Sequence, residues 1–200
     1  MTEEAAARDV PTVLTTPRLT LRSPTFDDVE PLMEAYTESA KSLRRWMAWY
    51  HDGYTAEECR QWLETVEGER QRGEAYHFAL IDETGRLLSV IGLHHIDRLN
   101  DTGEVGYWIR DRAVGHGYAT EAVRRLLTFC FADVGLHRVE LLIAERNVRS
   151  LAVASRLGCH HEATLRQRLA IRGGGYRNAE LFVAFADDAR DEAPARDARR

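Results

Sequence analysis

The stretch that decides the fold runs Glu104-Val-Gly-Tyr-Trp-Ile-Arg-Asp-Arg-Ala-Val-Gly-His-Gly-Tyr-Ala-Thr-Glu121. Glu104 to Arg110 has the composition and length of a strand. Gly115 and Gly117 punctuate a short loop, and from Ala119 to Ala132 the residues Ala122, Val123, Leu126, Leu127 and Cys130 fall on one helical face. A helix that starts in this way has first amides without intrahelical partners, at the positive end of its dipole. The two glycines remove side chains there and let a ligand approach the backbone. The product is an anion cradle suited to phosphate or pyrophosphate, with Arg112 expected to add positive charge beside it.

Outward from this unit, Val139 to Ala144 is nearly all apolar, which predicts a strand buried on both sides. Residues 104–144 therefore read as strand, helix and parallel strand. Before them, Tyr76 to Asp82 and Arg86 to Ile96 are strands joined by a Glu83-Thr84-Gly85 turn. Earlier still, Arg18 to Arg22 alternates as a short strand. Thr25 opens one helix with Asp27 and Asp28 in its first turn, and Thr55 with Glu58 forms a capping box for a second, ending near Gly73. After Ala144, a helix from Val148 to Leu157 stops at Gly158, and strands at His161–Arg168 and Glu180–Phe185 flank the Gly173-Gly174-Gly175 turn. The order predicts an α/β fold, a mixed central sheet with helices on both faces.

Two hundred residues with 44% hydrophobic and 30% charged side chains suit one domain with its own core. Residues 1–12 and 187–200 carry almost no large apolar side chains and read as flexible tails, leaving 13–186 as the domain. A net charge of -5 argues against a nucleic-acid binder. Lys41 is the only lysine among 27 basic residues, and arginine is spread along the chain rather than gathered in a patch. No apolar run reaches membrane-spanning length, and the acidic, Ala-rich start is no secretory signal. Cys59, Cys130 and Cys159 have neither disulfide nor zinc spacing, so a reduced, cytoplasmic location is expected. His94 and His95 are neighbours on a strand and face opposite sides, so no metal site is expected from them.

The phosphate ligand can be narrowed. A Walker loop needs Gly-Lys-Ser/Thr, and no lysine is here; a dinucleotide fingerprint meets Thr120 where its last Gly or Ala belongs. Arg112-x-x-Gly115-x-Gly117-x-Ala119 instead resembles the acetyl-CoA signature of the GNAT acetyltransferases. Gly-Tyr-Trp-Ile before the loop, Tyr-Ala-Thr-Glu-Ala after it, Asn147-x-x-Ser150 and Leu157-Gly158 resemble the Rim branch, whose members acetylate protein N-termini.

That resemblance, over roughly residues 13–186, implies a splayed sheet with pantetheine between the strands at 104–110 and 139–144. It implies that backbone near Trp108 and Ile109 holds the thioester, and that the segment Arg112, Gly115, His116, Gly117, Tyr118, Ala119 and Thr120 holds pyrophosphate. Asn147 would contact CoA, and Ser150 would protonate the departing thiolate. Glu162 matches the position proposed as the base, with Glu104, His94 and His95 as alternatives. The amine attacks directly, so the cysteines have no catalytic role. The implied reaction is acetyl transfer from acetyl-CoA to a primary amine, foremost a protein N-terminus of the ribosomal kind, in the cytoplasm, with a homodimer as the assembly common in the branch. A small-amine or antibiotic acetylase, and a non-catalytic acyl-CoA-binding regulatory module, are the alternatives. The aromatics at 41–62, with Arg44 and Arg45, and the loop Arg172–Asn178 are the segments expected to choose the acceptor.

Overall fold

The structure is a computed structural model and describes residues 10–191. Its centre is an eight-stranded sheet made of β1 (Val13–Thr15), β2 (Leu19–Arg22), β3 (Tyr76–Asp82), β4 (Leu87–Asp97), β5 (Thr102–Tyr107), β6 (Arg138–Ala144), β7 (His160–Ala170) and β8 (Tyr176–Phe185). The spatial order is β1-β2-β3-β4-β5-β6-β8-β7. Every neighbouring pair is antiparallel except β5 with β6. That single parallel pair is joined through a helical crossover, as parallel neighbours must be. The mixed sheet and the parallel unit at 104–144 match the expectation from sequence.

Helices cover both faces. Strand β3 shows how: Tyr76, Phe78 and Leu80 pack into one core with Ala122, Leu126 and Phe129 of α4 (Tyr118–Phe129). Ala79 faces the other way, into a second core with Val29 and Leu32 of α1 (Val29–Glu38) and Leu63 of α3 (Ala56–Arg72). Period-two alternation thus feeds two apolar layers rather than one. The Thr55–Glu58 capping box forms as expected, and Gly73 ends α3 in the left-handed conformation at φ 67°.

Several elements differ from the sequence reading. Strand β1 was not expected; three residues with exposed flanks carry too little pattern to show it. The aromatic segment after α1 contains a further helix, α2 (Ala40–Trp46), which follows α1 across the buried Ser39. Strand β6 is buried on one side only: Val139, Leu141 and Ile143 enter the core, whereas Glu140 and Leu142 are half-buried. Leu142 is apolar because it lines a cavity, described below.

The ends differ too. Val10, within the expected N-terminal tail, is buried, and the Arg70 guanidinium donates to the Val10 and Pro11 carbonyls at 2.7 and 2.8 Å. Residues 187–191, within the expected C-terminal tail, belong to a short helix, α6 (Ala186–Asp191). The outer parts of both expected tails, 1–9 and 192–200, lie outside the described residues.

The parallel pair opens the sheet. β5 and β6 are in register only at Thr102–Arg138, Gly103–Val139 and Glu104–Glu140. Past that point they separate, and β5 from Val105 to Tyr107 faces a cleft instead of a strand.

Candidate functional site

The cleft holds two cavities. The first, 1020 Å³, is lined by Trp108, Ile109, Gly115, Gly117, Tyr118, Ala119, Thr120, Asn147 and Ser150, among others. The second, 590 Å³, lies on the opposite side of the splay and is walled by aromatic side chains, with His77, His94 and Glu104 as its titratable groups apart from tyrosines. Six residues line both: Trp46, Met47, Tyr107, Trp108, Asn147 and Ser150. They form the junction through which a group can pass between the two.

The first cavity is built on the glycine loop. Gly115 and Gly117 have φ of 90° and 83°, a region closed to most side-chain-bearing residues. Gly117 is the N-cap of α4, and no side chain caps that helix start. By contrast, Thr55 caps α3 and Asn147 caps α5 (Val148–Arg156) with their side chains. The uncapped amides at the start of α4, opened by two glycines, form a cradle suited to an anion.

Charge completes the cradle, although not where the sequence placed it. Arg112 is 74% exposed and leans toward Glu38 at 3.7 Å, outside the cavity lining. His116 also lies outside, its ring stacked on Tyr118 at 5.8 Å. The positive groups in the lining are Arg124, Arg125, Arg149 and Arg156. Nη1 of Arg125 is buried without a hydrogen-bond partner among the described residues, an arrangement that an anionic ligand would relieve. An anion of CoA's kind fits this set: backbone amides for a pyrophosphate and guanidinium groups for further phosphate.

The loop is braced by residues that sequence reasoning missed. Arg18 donates to the His116 carbonyl at 3.0 Å, pairs with Glu121 at 2.5 Å and lies 4.8 Å from the centre of the Tyr118 ring. Thr16 adds a 2.6 Å bond to the same carboxylate. Burial works against the Glu121 charge, but Thr16 and Arg18 together hold its carboxyl below the usual range. Position 18 lies about a hundred residues from the loop in the chain, so no local pattern reveals this brace.

At the junction, Asn147 Oδ1 accepts from the Ser150 amide at 3.3 Å. Asn147 is thus the cap of α5, and the Ser150 hydroxyl is left for other work. The hydroxyl of Tyr107 is buried beside it and makes no regular hydrogen bond among the described residues. Burial pushes that phenol up to about 12, with Ser150 acting in the opposite direction, so Tyr107 stays protonated. Ala154 is buried in the core and supplies no hydroxyl. Cys59, Cys130 and Cys159 are buried free thiols, and burial raises all three well above the range of a reactive cysteine.

Glu162 requires a correction. It stands on strand β7 in a bidentate pair with Arg138, 2.7 Å to each oxygen, and lines neither cavity. The Arg138 guanidinium holds its carboxyl below the usual range. The carboxylate is thus committed to Arg138 and lies outside the cleft. His95 is 77% exposed and turned toward Glu104 at 3.3 Å, outside both linings. Of the candidates for the base, Glu104 and His94 are inside the second cavity.

The mouth of that cavity is closed from two sides. Tyr36, Trp49, Tyr50, Tyr54 and Trp108 form a continuous cluster with centroid spacings of 5.3 to 6.2 Å. The β7–β8 loop reaches across to it: Arg172 donates to the Ala48 and Trp49 carbonyls, and Arg177 to the Arg45 carbonyl at 3.0 Å. Arg45 and Arg177 both lie over the Trp46 ring. Arg44, beside them, pairs with Asp52 at 2.9 Å. At the base of the loop, Asn178 donates to Glu145 at 3.0 Å and accepts from the Gln167 amide, a combination that an aspartate could not make.

Comparisons with known proteins agree with this geometry. Residues 18–160 match the family model described as acetyltransferase (GNAT) domain. The chain is 30% identical over 156 residues to a putative ribosomal N-acetyltransferase of Bacillus subtilis, covering 78% of this chain and 85% of that protein. It is 28% identical over 179 residues to the ribosomal-protein-serine acetyltransferase of Escherichia coli, covering 88% and 97%. Among solved structures, a ribosomal L7/L12 alpha-N-protein acetyltransferase in complex with coenzyme A shares the fold with a TM-score of 0.81 at 20% identity, covering 86% of this chain and 97% of that one.

Proposed function

This chain belongs to the GNAT acetyltransferase family, and from that premise we propose that it moves the acetyl group of acetyl-CoA onto the N-terminal α-amine of a protein in the cytoplasm. The observation that carries the reading is the pair of cavities meeting at Trp108, Asn147 and Ser150, one with an uncapped helix start and arginines, the other aromatic and almost free of charge. CoA supplies an activated acetyl thioester. The chain's own residues hold the phosphates on the α4 amides and the arginines at 124, 125, 149 and 156. The open edge of β5 orients the acyl end at the junction. Ser150 presents a hydroxyl proton there for the sulfur, with the protonated Tyr107 beside it.

The acceptor side favours a peptide over a polycation. Glu104 is the one carboxylate in the second lining, too little charge to hold a polyamine or aminoglycoside. Its rim carries Arg44, Arg45, Arg172 and Arg177, which suits acidic residues following the reactive amine. The test is release of free thiol from acetyl-CoA against peptides with free N-termini, polyamines and aminoglycosides. Turnover is expected with the peptides and is expected to collapse in Ser150→Ala. Turnover with the small cations alone moves the assignment to a small-amine acetylase. CoA binding without turnover, unchanged in Ser150→Ala, moves it to a binding module.

A further inference from the structure

The second cavity holds two histidines, His77 and His94, that neither bind CoA nor protonate its sulfur. β3 and β4 place His77 opposite Gly92, and β4 and β5 place Gly92 opposite Gly106. These two positions are bare because imidazoles occupy the space above them. A Cβ on Gly92 would sit 3.0 Å from His94 Cε1 and 3.1 Å from His77 Nδ1. A Cβ on Gly106 would sit 2.8 Å from His94 Nε2. His94 therefore stretches from Gly106, the neighbour of Tyr107 at the junction of the cavities, to Gly92, where it meets His77. The two rings are 5.5 Å apart between centroids.

Behind His77 stands a carboxylate. His77 Nε2 lies 3.0 Å from Glu69 Oε2 on α3. An ionised carboxylate only accepts, so His77 carries its proton on Nε2 and keeps the lone pair on Nδ1, the atom facing Gly92. Trp62 packs edge-on against the ring at 5.6 Å and fixes its plane. The His77 side chain is 13% exposed and that of Glu69 29%, so the line of groups leads from the cavity outward to the surface. Among the described residues nothing hydrogen-bonds either ring nitrogen of His94.

We propose that His94 accepts the proton released by the acceptor amine and that His77 and Glu69 pass it to solvent. The inference rests on the acetyl-transfer reading and deepens it by naming the base. An ammonium sheds two protons in becoming an amide. One ends on sulfur by way of Ser150 as the carbon–sulfur bond breaks and its electron pair goes to sulfur. The other moves from the ammonium nitrogen to His94 Nε2, and the lone pair this frees on the amine nitrogen bonds to the acetyl carbon. His94 Nδ1 then gives up its proton to His77 Nδ1 by way of a water between the rings, whose centroids are 5.5 Å apart, and His77 Nε2 gives up its own to Glu69.

The surroundings suit a relay rather than a store. Burial, followed by the neighbouring His77 and His95, lowers His94 to about 4, so its lone pair is available and a proton it receives moves on. Burial also lowers His77, with Glu69 opposing. The other titratable groups facing this space are Glu104 and Tyr107 on β5 and Tyr36 and Tyr54 on the helical side; no lysine or arginine is in the lining.

The experiment compares His94→Gln, His77→Gln, Glu69→Gln and Glu104→Gln in the full chain, by CoA calorimetry and by kcat/KM for a peptide amine from about pH 6 to about pH 9. Unchanged CoA affinity is expected throughout. The two histidine variants are expected to lose roughly 100-fold in kcat/KM at pH 7, and the deficit to close as pH rises and the amine arrives already neutral. Glu69→Gln gives the same pattern more weakly. A loss that is equal at every pH, or a pH-dependent deficit confined to Glu104→Gln, overturns the proposal. Nitrogen NMR of the unmodified protein reads the His77 tautomer without any acceptor: Nε2 protonated supports the relay and Nδ1 protonated overturns it. If the unmodified protein acetylates no amine, the transfer reading fails on its own, and the tautomer still decides the relay.

Discussion

Substituting Gly117 by alanine separates the backbone's contribution to CoA binding from everything else at the site. Gly117 has φ 83°, and a Cβ there meets nothing closer than Arg18 Nη2 at 3.5 Å, an ordinary contact. The cost is therefore conformational, about 1–2 kcal/mol for an L-residue in the left-handed region. That strain must appear in one of two places. If the loop keeps its shape, folding stability drops by this amount, which lowers Tm by roughly 2–8 °C in a chain of this size. If the loop relaxes, CoA must restore it, and Kd rises by roughly 5- to 30-fold. Gly85, at φ 82° with nothing within 4 Å, is the control: the same strain, in the β3–β4 turn far from the cleft. Gly85→Ala should lower Tm alone. Calorimetric CoA titration and thermal scanning of both variants decide the matter. Gly117→Ala matching the unmodified protein in both Tm and Kd, or Gly85→Ala weakening CoA as much, refutes the account of the loop.

Three further outcomes follow from the same structure. Arg110, just past β5, is 2% exposed and holds Glu34, Glu38 and the Leu87 carbonyl together, so Arg110→Met should cost about 3 kcal/mol and lower Tm by roughly 6–12 °C. Burial raises Asp28, but the Arg22 guanidinium and the Thr25 amide more than offset it and leave the carboxyl below its ordinary value. The stability it adds is full above about pH 4 and is lost as pH falls through the lower folded value, so acid titration of Asp28→Asn should lack that portion of the decline. Glu162→Gln should retain the turnover of the unmodified protein, since the carboxylate faces Arg138 and not the cleft; a collapse in kcat would restore it as the base.

The legible part of this protein was local. The glycine loop, the Thr55–Glu58 box, the Glu83–Gly85 turn and the strand–helix–strand unit each declare themselves within a few residues, because φ angles, caps and side-chain period are short-range properties. Nine of the residues expected around CoA line the first cavity for the same reason. Arg112 and His116 were misplaced because sequence gives the loop's position but not the direction of its side chains. The Arg18–Glu121 brace and the Arg138–Glu162 pair span the chain and depend on strand order. His77 and His94 meet only because two registers bring them over Gly92, and a glycine in a strand does not disclose which ring lies on it. Helix α2 escaped notice because seven residues hold too few turns to establish a period.

Mass spectrometry of a peptide with a free N-terminus, incubated with the protein and acetyl-CoA beside an identical peptide already blocked at that end, shows which nitrogen the protein acetylates. One added acetyl group is expected on the free peptide, located at the α-nitrogen, and none on the blocked one, if the transfer is N-terminal. An acetyl group on a side-chain amine of both peptides, or on neither while CoA still binds, would contradict it.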